Sequence, residues 1–273
     1  MSSFLTVGIR TGIVRPGDDL AGILLSGIAL SEAASFRDGD ILVVAETVVA
    51  TAERAIVRLA SVVPGEEALM TARQYGMDPR LVEIVLRESD EVVGGIPGFL
   101  LCMKAGTLLP NAGIDASNAP PGTVVLLPTD PDASARRIRK DIEDRTGARV
   151  GVIVVDSRTH AMRSGCSGVA IGCSGIEAVI DVRGRSDLFG RTLEVTKQAL
   201  ADNIASAAEI LMGEADECTP AAVIRGLGIP IGDYEGIESI DADKCLFMGV
   251  FGERSGITRS GENRGDCNLE NHF

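Results

Sequence analysis

The chain has 273 residues, of which 45% are hydrophobic and 24% charged, the balance of a globular protein with a substantial core. At about 150 residues per domain, this length predicts one large unit or two interleaved lobes. Aromatic residues make up only 3%, and 26 Lys and Arg against 39 Asp and Glu leave a net charge of −13. This negative charge repels nucleic-acid phosphates and anionic lipid headgroups, and few aromatic rings are present to stack on bases. Composition therefore argues against binding to nucleic acid or to anionic membrane surfaces.

The sequence contains no apolar stretch near the roughly 20 residues of a membrane-spanning helix. Its first twenty residues lack the basic and apolar regions of a secretory signal. The six cysteines are scattered without a CxxC pair, which indicates neither a zinc site nor a disulfide framework. Together these features predict a cytoplasmic protein with reduced thiols.

The first half of the chain contains both strand and helix patterns. A strand is predicted over 4–9, and a helix runs from Leu20 towards Leu30 after Asp18 and Asp19, whose charges suit a helix N-terminus. The apolar run 41–45 is typical of a buried strand. The further predictions here are helices over 66–75 and 79–88 and strands over 100–105 and 107–109.

The second half opens on a strong helix start at Asp130-Pro131, because Asp caps free amides and Pro suits the first helical position. That helix is predicted to reach about Arg145 and to stop at Gly147. The apolar run 149–155 predicts the clearest buried strand, ending on Asp156. The remaining predicted elements are strands over 169–171, 178–182 and 220–227, the longest helix over 193–212, and a polar, flexible tail over 251–273.

Strands and helices are both abundant, but the sequence shows neither a strict βαβ alternation nor an internal repeat. This pattern favours an α+β fold, with mixed sheets and flanking helices, over a doubly wound parallel sheet.

The common nucleotide-binding motifs are missing from the sequence. The segment 184–192 comes nearest to a Walker A loop, but it has one residue too many and lacks the lysine, and no GxGxxG follows a strand. His160 and His272 are the only histidines. A histidine-rich metal site and a Ser-His-Asp triad are therefore disfavoured.

Three acidic segments at the ends of predicted elements suit a hard divalent cation, which prefers carboxylate, hydroxyl and carbonyl oxygens. They are the loop 111–118 with Asp115, the pair Asp156-Ser157, and the segment 212–217 with Glu214. Such a cation could bridge the phosphates of a nucleotide and offset their charge. An acidic chain that binds an acidic ligand needs this kind of neutralisation.

Each acidic segment also has a purely structural interpretation. Asp115 and Asn118 favour turns, and Asp156 could cap a helix or lie at the surface. Glu214 could be an exposed side chain, although its charge opposes the dipole at a helix C-terminus. The residues alone leave these alternatives open.

The glycines of the segment SGCSGVAIGCSG have two possible roles. They could cradle phosphates or merely permit tight turns between strands, and glycine alone does not decide between the two. The glycines in question are Gly165, Gly168, Gly172 and Gly175.

Taken in chain order, several segments resemble the coenzyme F(420)-0 gamma-glutamyl ligase family. The matching segments are FRDGDILVV, PNAGIDASN, LLPTDPDASARRIR, RVGVIVVDS, SGVAIGCSG, GRSDLFGR, LEVTKQALADNIASAAEILMGE and PAAVIRGL. The spacing of PNAGIDASN from VGVIVVDS is the specific signature. The resemblance implies a ligase-like catalytic unit over 1–250, in two interleaved lobes on a fold particular to the family.

The resemblance implies a GTP- and divalent-metal-dependent ligase that forms a homodimer. Such an enzyme adds L-glutamate to the deazaflavin coenzyme F(420)-0 through a gamma-linked amide. Because a free carboxylate does not form an amide in water, phosphoryl transfer first gives an acyl phosphate, which the amine of glutamate then attacks. The implied cofactors are GTP as co-substrate, two divalent cations (Mg²⁺ or Mn²⁺) and a monovalent cation, with no nucleic-acid or membrane partner.

By position, the resemblance assigns Asp115, Asp156 and Ser157 to one metal ion and Glu214 to a second. It assigns no general base. The residues at its nucleotide-contacting positions are Arg10, Thr11, Gly12, Ile13, Glu46, Thr47, Thr51, Asn118, Met212, Gly213, Ala215, Asp216, Glu217, Cys218 and Thr219.

The sequence departs from the family pattern near the expected phosphates. Glu46 and Thr51 stand where the family has a serine and a lysine, so a positive charge is lost and a negative one gained. An Asn-Gly-Arg-like turn is replaced by 158–163 (RTHAMR), and a glycine-rich stretch by 215–218 (ADEC). Arg158 and Arg163 are the evident compensating charges.

These departures leave three hypotheses. The main prediction is an active glutamyl ligase that uses GTP and two metal ions. The second is a paralogue that joins another amine or acid, with GTP or another nucleotide. The third is a non-catalytic protein of the same fold that binds a nucleotide or a deazaflavin, or that serves as an assembly partner.

Overall fold

The computed structural model describes residues 3–249 of the chain, so the predicted tail over 251–273 lies outside the described residues. The helices are α1 (Leu20–Ala29), α2 (Glu46–Ala52), α3 (Glu66–Tyr75), α4 (Pro79–Glu88), α5 (Pro131–Thr146) and α6 (Leu200–Met212). The strands are β1 (Leu5–Ile9), β2 (Ile41–Ala45), β3 (Ile56–Arg58), β4 (Glu91–Ile96), β5 (Phe99–Lys104), β6 (Thr107–Pro110), β7 (Thr123–Val125), β8 (Gly151–Thr159), β9 (Cys166–Ser174), β10 (Val179–Asp181), β11 (Lys197–Ala199) and β12 (Ala221–Arg225).

The main sheet has five strands in the order β1-β12-β2-β8-β9. Only the pair β2 and β8 is parallel among these neighbours, and the other three pairs are antiparallel. Two-stranded sheets are formed by β3 with β7 and by β10 with β11. A mixed sheet of this kind, flanked by helices, confirms the predicted α+β class.

Helices cover both faces of the main sheet. Alternate residues of β8 point to opposite faces, so Val152 and Val154 pack in the cluster of α1 and α5, whereas Ile153 and Val155 pack in that of α6. Burial on both faces explains why β2 and β8 are continuous apolar runs.

The described chain divides into two units, each made of three segments. One unit comprises 3–63, 113–180 and 198–238, and contains the main sheet. The other comprises 64–112, 181–197 and 239–249, and contains α3, α4 and the antiparallel sheet β4-β5-β6.

Helix capping agrees with the sequence signals. Asp19 accepts a hydrogen bond from the backbone N–H of Gly22 at the start of α1, and Asp130 accepts one from Ala133 at the start of α5. Helix α5 ends at Gly147, which adopts the left-handed conformation with φ 75°. The predicted helices over 66–75 and 79–88 are also confirmed.

The predicted bounds of two strands in the second half are wrong. Strand β8 does not end at Asp156 but runs to Thr159, because it pairs with β9 through Asp156↔Val169 and Thr159↔Cys166. The predicted strand 169–171 is accordingly the nine-residue β9. Asp156 therefore lies within a strand, and its position is neither a loop nor a helix cap.

The helix predicted over 193–212 begins only at Leu200 and is shorter than the 16-residue α5. The backbone of Leu193 is bonded to Arg185 and Gly184, at 2.8 and 2.9 Å, in the preceding loop. These bonds hold Leu193 outside a helical turn.

The two glycines inside β9 serve close packing. A Cβ on Gly168 would lie 2.7 Å from the backbone of Ala205 in α6, and one on Gly172 would lie 2.3 Å from the carbonyl oxygen of Pro131 in α5. Neither phosphate binding nor a tight turn is needed to explain them, since only glycine lets both helices approach the strand so closely.

Across residues 3–249, no helix combines the length and apolar character needed to cross a membrane. Among the described residues, the cysteines at positions 102, 166, 173, 218 and 245 form no disulfide.

Candidate functional site

The candidate site lies at one edge of the main sheet, where several strands begin or end. Parallel β2 and β8 are in register through Ala45 and Val155, so the next residues, Glu46 and Asp156, lie side by side. The antiparallel β12 enters from the same edge, and Pro220 accepts a 2.9 Å hydrogen bond from the backbone of Ala45. The end of β1 lies beside the start of β12 through Ile9 and Ala221.

A cavity of about 430 Å³ opens at this edge. It is lined by all but two of the residues that the resemblance assigns to the metal ions and the nucleotide. These are Thr11, Gly12, Ile13, Glu46, Thr47, Thr51, Asp115, Asn118, Ser157, Met212, Gly213, Glu214, Ala215, Asp216, Glu217, Cys218 and Thr219. Segments far apart in the chain are thus gathered around one space.

The two exceptions are Arg10 and Asp156. Arg10 lines a neighbouring groove along α1, which shares Thr11 and Gly12 with the cavity. Asp156 is not among the lining residues and has 14% of its side chain exposed, but it interacts electrostatically with Asp115 and Glu214, which line the cavity.

Asp115 combines a structural role with a place in the site. Its backbone forms a bridge to Val125 of β7 through hydrogen bonds of 3.0 and 2.8 Å. Its carboxylate accepts a 2.8 Å bond from the backbone of Ser117 and a bond from the Ser117 hydroxyl. The turn that the carboxylate stabilises also holds it at the cavity.

Asp156 is paired with a cation of its own strand. Arg158 Nε donates to Asp156 Oδ2 at 2.7 Å, and both side chains are nearly buried. Burial raises the pKa of Asp156, with Asp115 and Glu214 adding to the rise and Arg158 opposing it. Burial, more than repulsion from the other carboxylates, thus outweighs the guanidinium of Arg158.

Glu46 is the first residue of α2 and faces the same group of acids. Burial, reinforced by the charges of Asp156 and Asp115, raises the pKa of Glu46 to about 8. The Thr47 hydroxyl donates to the Glu46 carboxylate at 2.5 Å, which opposes the rise. A carboxyl group with this pKa holds its proton at neutral pH.

The loop after α6 folds around two carboxylates. Ser157 of β8 donates to Glu214 Oε1 at 2.8 Å, which ties the loop to the sheet. Glu217 accepts a 2.8 Å bond from the backbone N–H of Ala215. Gly213 has φ 74°, and a Cβ there would lie 2.3 Å from the Glu217 carboxyl carbon. Glycine at 213 therefore lets the loop close over Glu217.

Glu209 also lines the cavity and was missed in the sequence analysis. Burial raises the pKa of Glu209 to about 7, and the charges of Glu214 and Asp156 contribute. The available signal was its place in α6, one residue after buried Ala208 and three before buried Met212. An acid so close to a buried helical face is unusual enough to be a candidate.

The donor chemistry of the cavity suits hard divalent cations, because carboxylates from different segments raise one another's pKa and a cation would relieve their repulsion. Within the described part of the chain, however, no group of three or more His, Cys, Asp or Glu side chains has the arrangement of a formed metal site. The oxygen donors of the cavity therefore suit divalent cations in their chemistry, but the described side chains are not already arranged around a metal position.

Fold and site together define an α+β protein whose acidic cavity suits an anionic ligand accompanied by cations. The family described as F420-0:Gamma-glutamyl ligase matches residues 8–226. The chain is 46% identical to "Coenzyme F420:L-glutamate ligase" of Methanopyrus kandleri, over 82% of this chain and 86% of that protein. Proteins of the same name from Archaeoglobus fulgidus and Methanocaldococcus jannaschii are 45% and 44% identical, over 80% and 75% of this chain and 85% and 82% of theirs. The chain belongs to the F420-0:gamma-glutamyl ligase family.

Proposed function

We propose that this protein is a GTP- and divalent-metal-dependent ligase that adds L-glutamate to coenzyme F420-0 through a gamma-linked amide. Family membership and the names of the similar proteins support an amide-forming ligase of this kind. The observation that carries the proposal is the single cavity of about 430 Å³, where residues of β8, the loop 111–118 and the loop after α6 come together.

In this proposal, Asp115, Asp156 and Ser157 hold one divalent cation and Glu214 holds the second. The cations supply the positive charge that lets a triphosphate and a carboxylate approach each other. The hydrogen bond between Ser157 and Glu214 keeps the two sets of ligands on neighbouring parts of the wall.

The nucleotide would lie along the cavity wall formed by 11–13, α2 and the loop 212–219. Its phosphates would meet the hydroxyls of Thr47 and Thr51 at α2 and backbone amides of the loop. Burial is the main cause that raises the pKa of Glu46 to about 8 in the metal-free protein, and it favours the neutral form, which repels phosphates less. Its burial thus offsets the unfavourable charge that the sequence places there.

The reaction would proceed through an acyl phosphate. A carboxylate oxygen of the acceptor attacks the terminal phosphorus of GTP, and GDP leaves with the electron pair of the broken bond. The amine nitrogen of glutamate then attacks the acyl carbon, loses a proton and displaces phosphate.

Two measurements test this function. Calorimetric titration with GTP and Mn²⁺ should give a dissociation constant in the micromolar range, about −8 kcal/mol. Incubation with coenzyme F420-0, L-glutamate and GTP should give a product heavier by one glutamyl residue in mass spectrometry. Absence of GTP binding would refute the nucleotide assignment, and binding without this product would favour a different substrate or a non-catalytic role.

The same proposal describes a cytoplasmic homodimer. Light scattering coupled to size-exclusion chromatography should give twice the chain mass of 28.5 kDa. A mass of one chain would contradict the dimer.

A further inference from the structure

A row of polar side chains continues outward from Asp156 along the hairpin of β8 and β9. Arg158, two residues further on, lies on the same face of β8 and bonds to Asp156 at 2.7 Å. On the adjacent strand, Ser167 is the register partner of Arg158. His160 Nε2 lies 2.7 Å from the hydroxyl of Ser167. We name Arg158, His160 and Ser167 the hairpin face.

The charge of this hairpin is opposite to that of the molecule. Residues 157–176 contain no Asp or Glu, although the chain has 39 among 273 residues. Arg158 and Arg163 lie in the same stretch. The loop on the cavity wall after α6 instead carries Asp216 and Glu217. Even with Arg158 paired to Asp156, an anion that extends beyond the cavity is therefore repelled less along the hairpin than along that loop.

The hairpin is held firmly beside the cavity. Gly168 packs so closely on α6 that a Cβ would lie 2.7 Å from the backbone of Ala205. Its carbonyl oxygen accepts a 2.9 Å hydrogen bond from the Ser206 hydroxyl. Ser167, the neighbour of Gly168, is thus fixed by the packing of β9, which limits the entropy lost when a ligand binds.

We propose that the hairpin face binds the carboxylate end of the acceptor substrate, while the nucleotide occupies the cavity. This inference rests on the proposed ligase function, since it locates the second substrate of that reaction. The acceptor carboxylate must reach the terminal phosphate near Asp156, and Arg158 is the next residue outward on the same face. The Ser167 hydroxyl and a ring nitrogen of His160 supply further polar contacts for an oxyanion.

The test replaces His160 and Ser167 separately by alanine and compares them with two controls on the hairpin. The controls are Thr159→Val and Cys166→Ser. Thr159 and Cys166 are register partners of each other, and each lies one residue from the hairpin face, so their side chains point to the opposite face of the hairpin. Steady-state rates are measured against acceptor and GTP in turn. We expect His160→Ala and Ser167→Ala to raise the KM for acceptor about tenfold, the cost of one hydrogen bond to a charged group. The KM for GTP and both controls should remain within about twofold of wild type.

The outcomes separate this inference from the proposed function. If the wild type makes the product and both alanine variants have the same KM for acceptor as the wild type, the hairpin-face inference is wrong and the ligase function stands. An equal rise in the KM for GTP would assign the face to the nucleotide and would likewise overturn the inference. If the wild type makes no product, the proposed function fails. Calorimetric titration with acceptor then tests the hairpin-face inference by itself. Equal affinities of wild type and variants would refute that inference, and tenfold weaker binding by the variants would support it.

Discussion

The Ser157 hydroxyl donates a 2.8 Å hydrogen bond to Glu214, which lies 57 residues later in the chain. Ser157 belongs to β8 and Glu214 to the loop that closes α6, so this contact joins the sheet to the cavity wall. Behind it, Asp156 interacts with Asp115, Glu214 and Glu209. The carboxylates form one electrostatic group, and removal of one charge should therefore change the behaviour of the others.

Asp156→Asn should abolish metal-dependent nucleotide binding while the fold remains intact. The amide keeps the size of the side chain and can still accept from Arg158, but it removes one buried negative charge. Loss of a cation ligand should weaken binding of GTP in the presence of Mn²⁺ by at least about tenfold. Calorimetric titration measures the affinity, and circular dichroism checks the fold.

Asp144→Asn is the matched control for this experiment. Asp144 lies on the exposed side of α5 and pairs with Lys140, so its replacement removes one charge outside the cavity. The control should bind GTP as wild type does. Normal binding by Asp156→Asn would show that the proposed metal position is misplaced.

The stability of the metal-free protein should depend on pH through Glu46. Its pKa is about 8 in the folded protein, against an ordinary value of 4.5. Between these values the folded state holds the proton that the unfolded state has released, so the free energy of unfolding falls as pH rises. Glu46→Gln removes this contribution, and its Tm should exceed that of wild type at pH 9 by more than at pH 5.

Thermal unfolding in a chelator at pH 5, 7 and 9 tests the Glu46 prediction. Glu32→Gln, at an exposed position after α1, serves as the control for the loss of one negative charge. A residual slope is expected in Glu46→Gln, because Glu209 has a pKa of about 7. A Tm difference between Glu46→Gln and wild type that is the same at all three pH values would contradict the assignment.

Thr51→Lys should tighten GTP binding. Thr51 lines the cavity on α2, close in sequence to Glu46 and Thr47, and a lysine there adds a positive charge for the phosphates. One favourable charge contact of about 1.4 kcal/mol corresponds to a tenfold lower Kd. Thr51→Gln, which is long but neutral, should leave the Kd near that of wild type. The same change in both variants would exclude a charge effect and place the phosphates elsewhere.

Local signals predicted much of the fold because its helices carry their own start and stop residues. Asp130 and Pro131 begin α5 and Gly147 ends it, as the sequence indicated. Most of the cavity-lining residues were also named from the sequence, although from family resemblance more than from composition. Neither a P-loop nor a histidine cluster marks the cavity, and Asp115 alone is equally compatible with a turn.

The parts that local sequence did not predict depend on partners far away in the chain. Strand β8 extends past Asp156 only because β9 pairs with it, and the pairing brings Asp156 and Arg158 to one face. Glu209 belongs to the site only because α6 packs against the main sheet near the end of β2. In the same way, the glycines of β9 are explained by helices that local sequence cannot place beside them.

Gly172→Ala provides the most direct test of that packing. A Cβ at this position would lie 2.3 Å from the carbonyl oxygen of Pro131, so α5 or β9 has to move. Overpacking of this kind should lower the free energy of unfolding by about 2–3 kcal/mol. Gly94→Ala is the control, since Gly94 also lies in a strand but a Cβ there meets nothing within 4 Å. Urea unfolding followed by circular dichroism should place the midpoint of Gly172→Ala well below that of Gly94→Ala, whereas equal midpoints would show that β9 and α5 are not packed so closely.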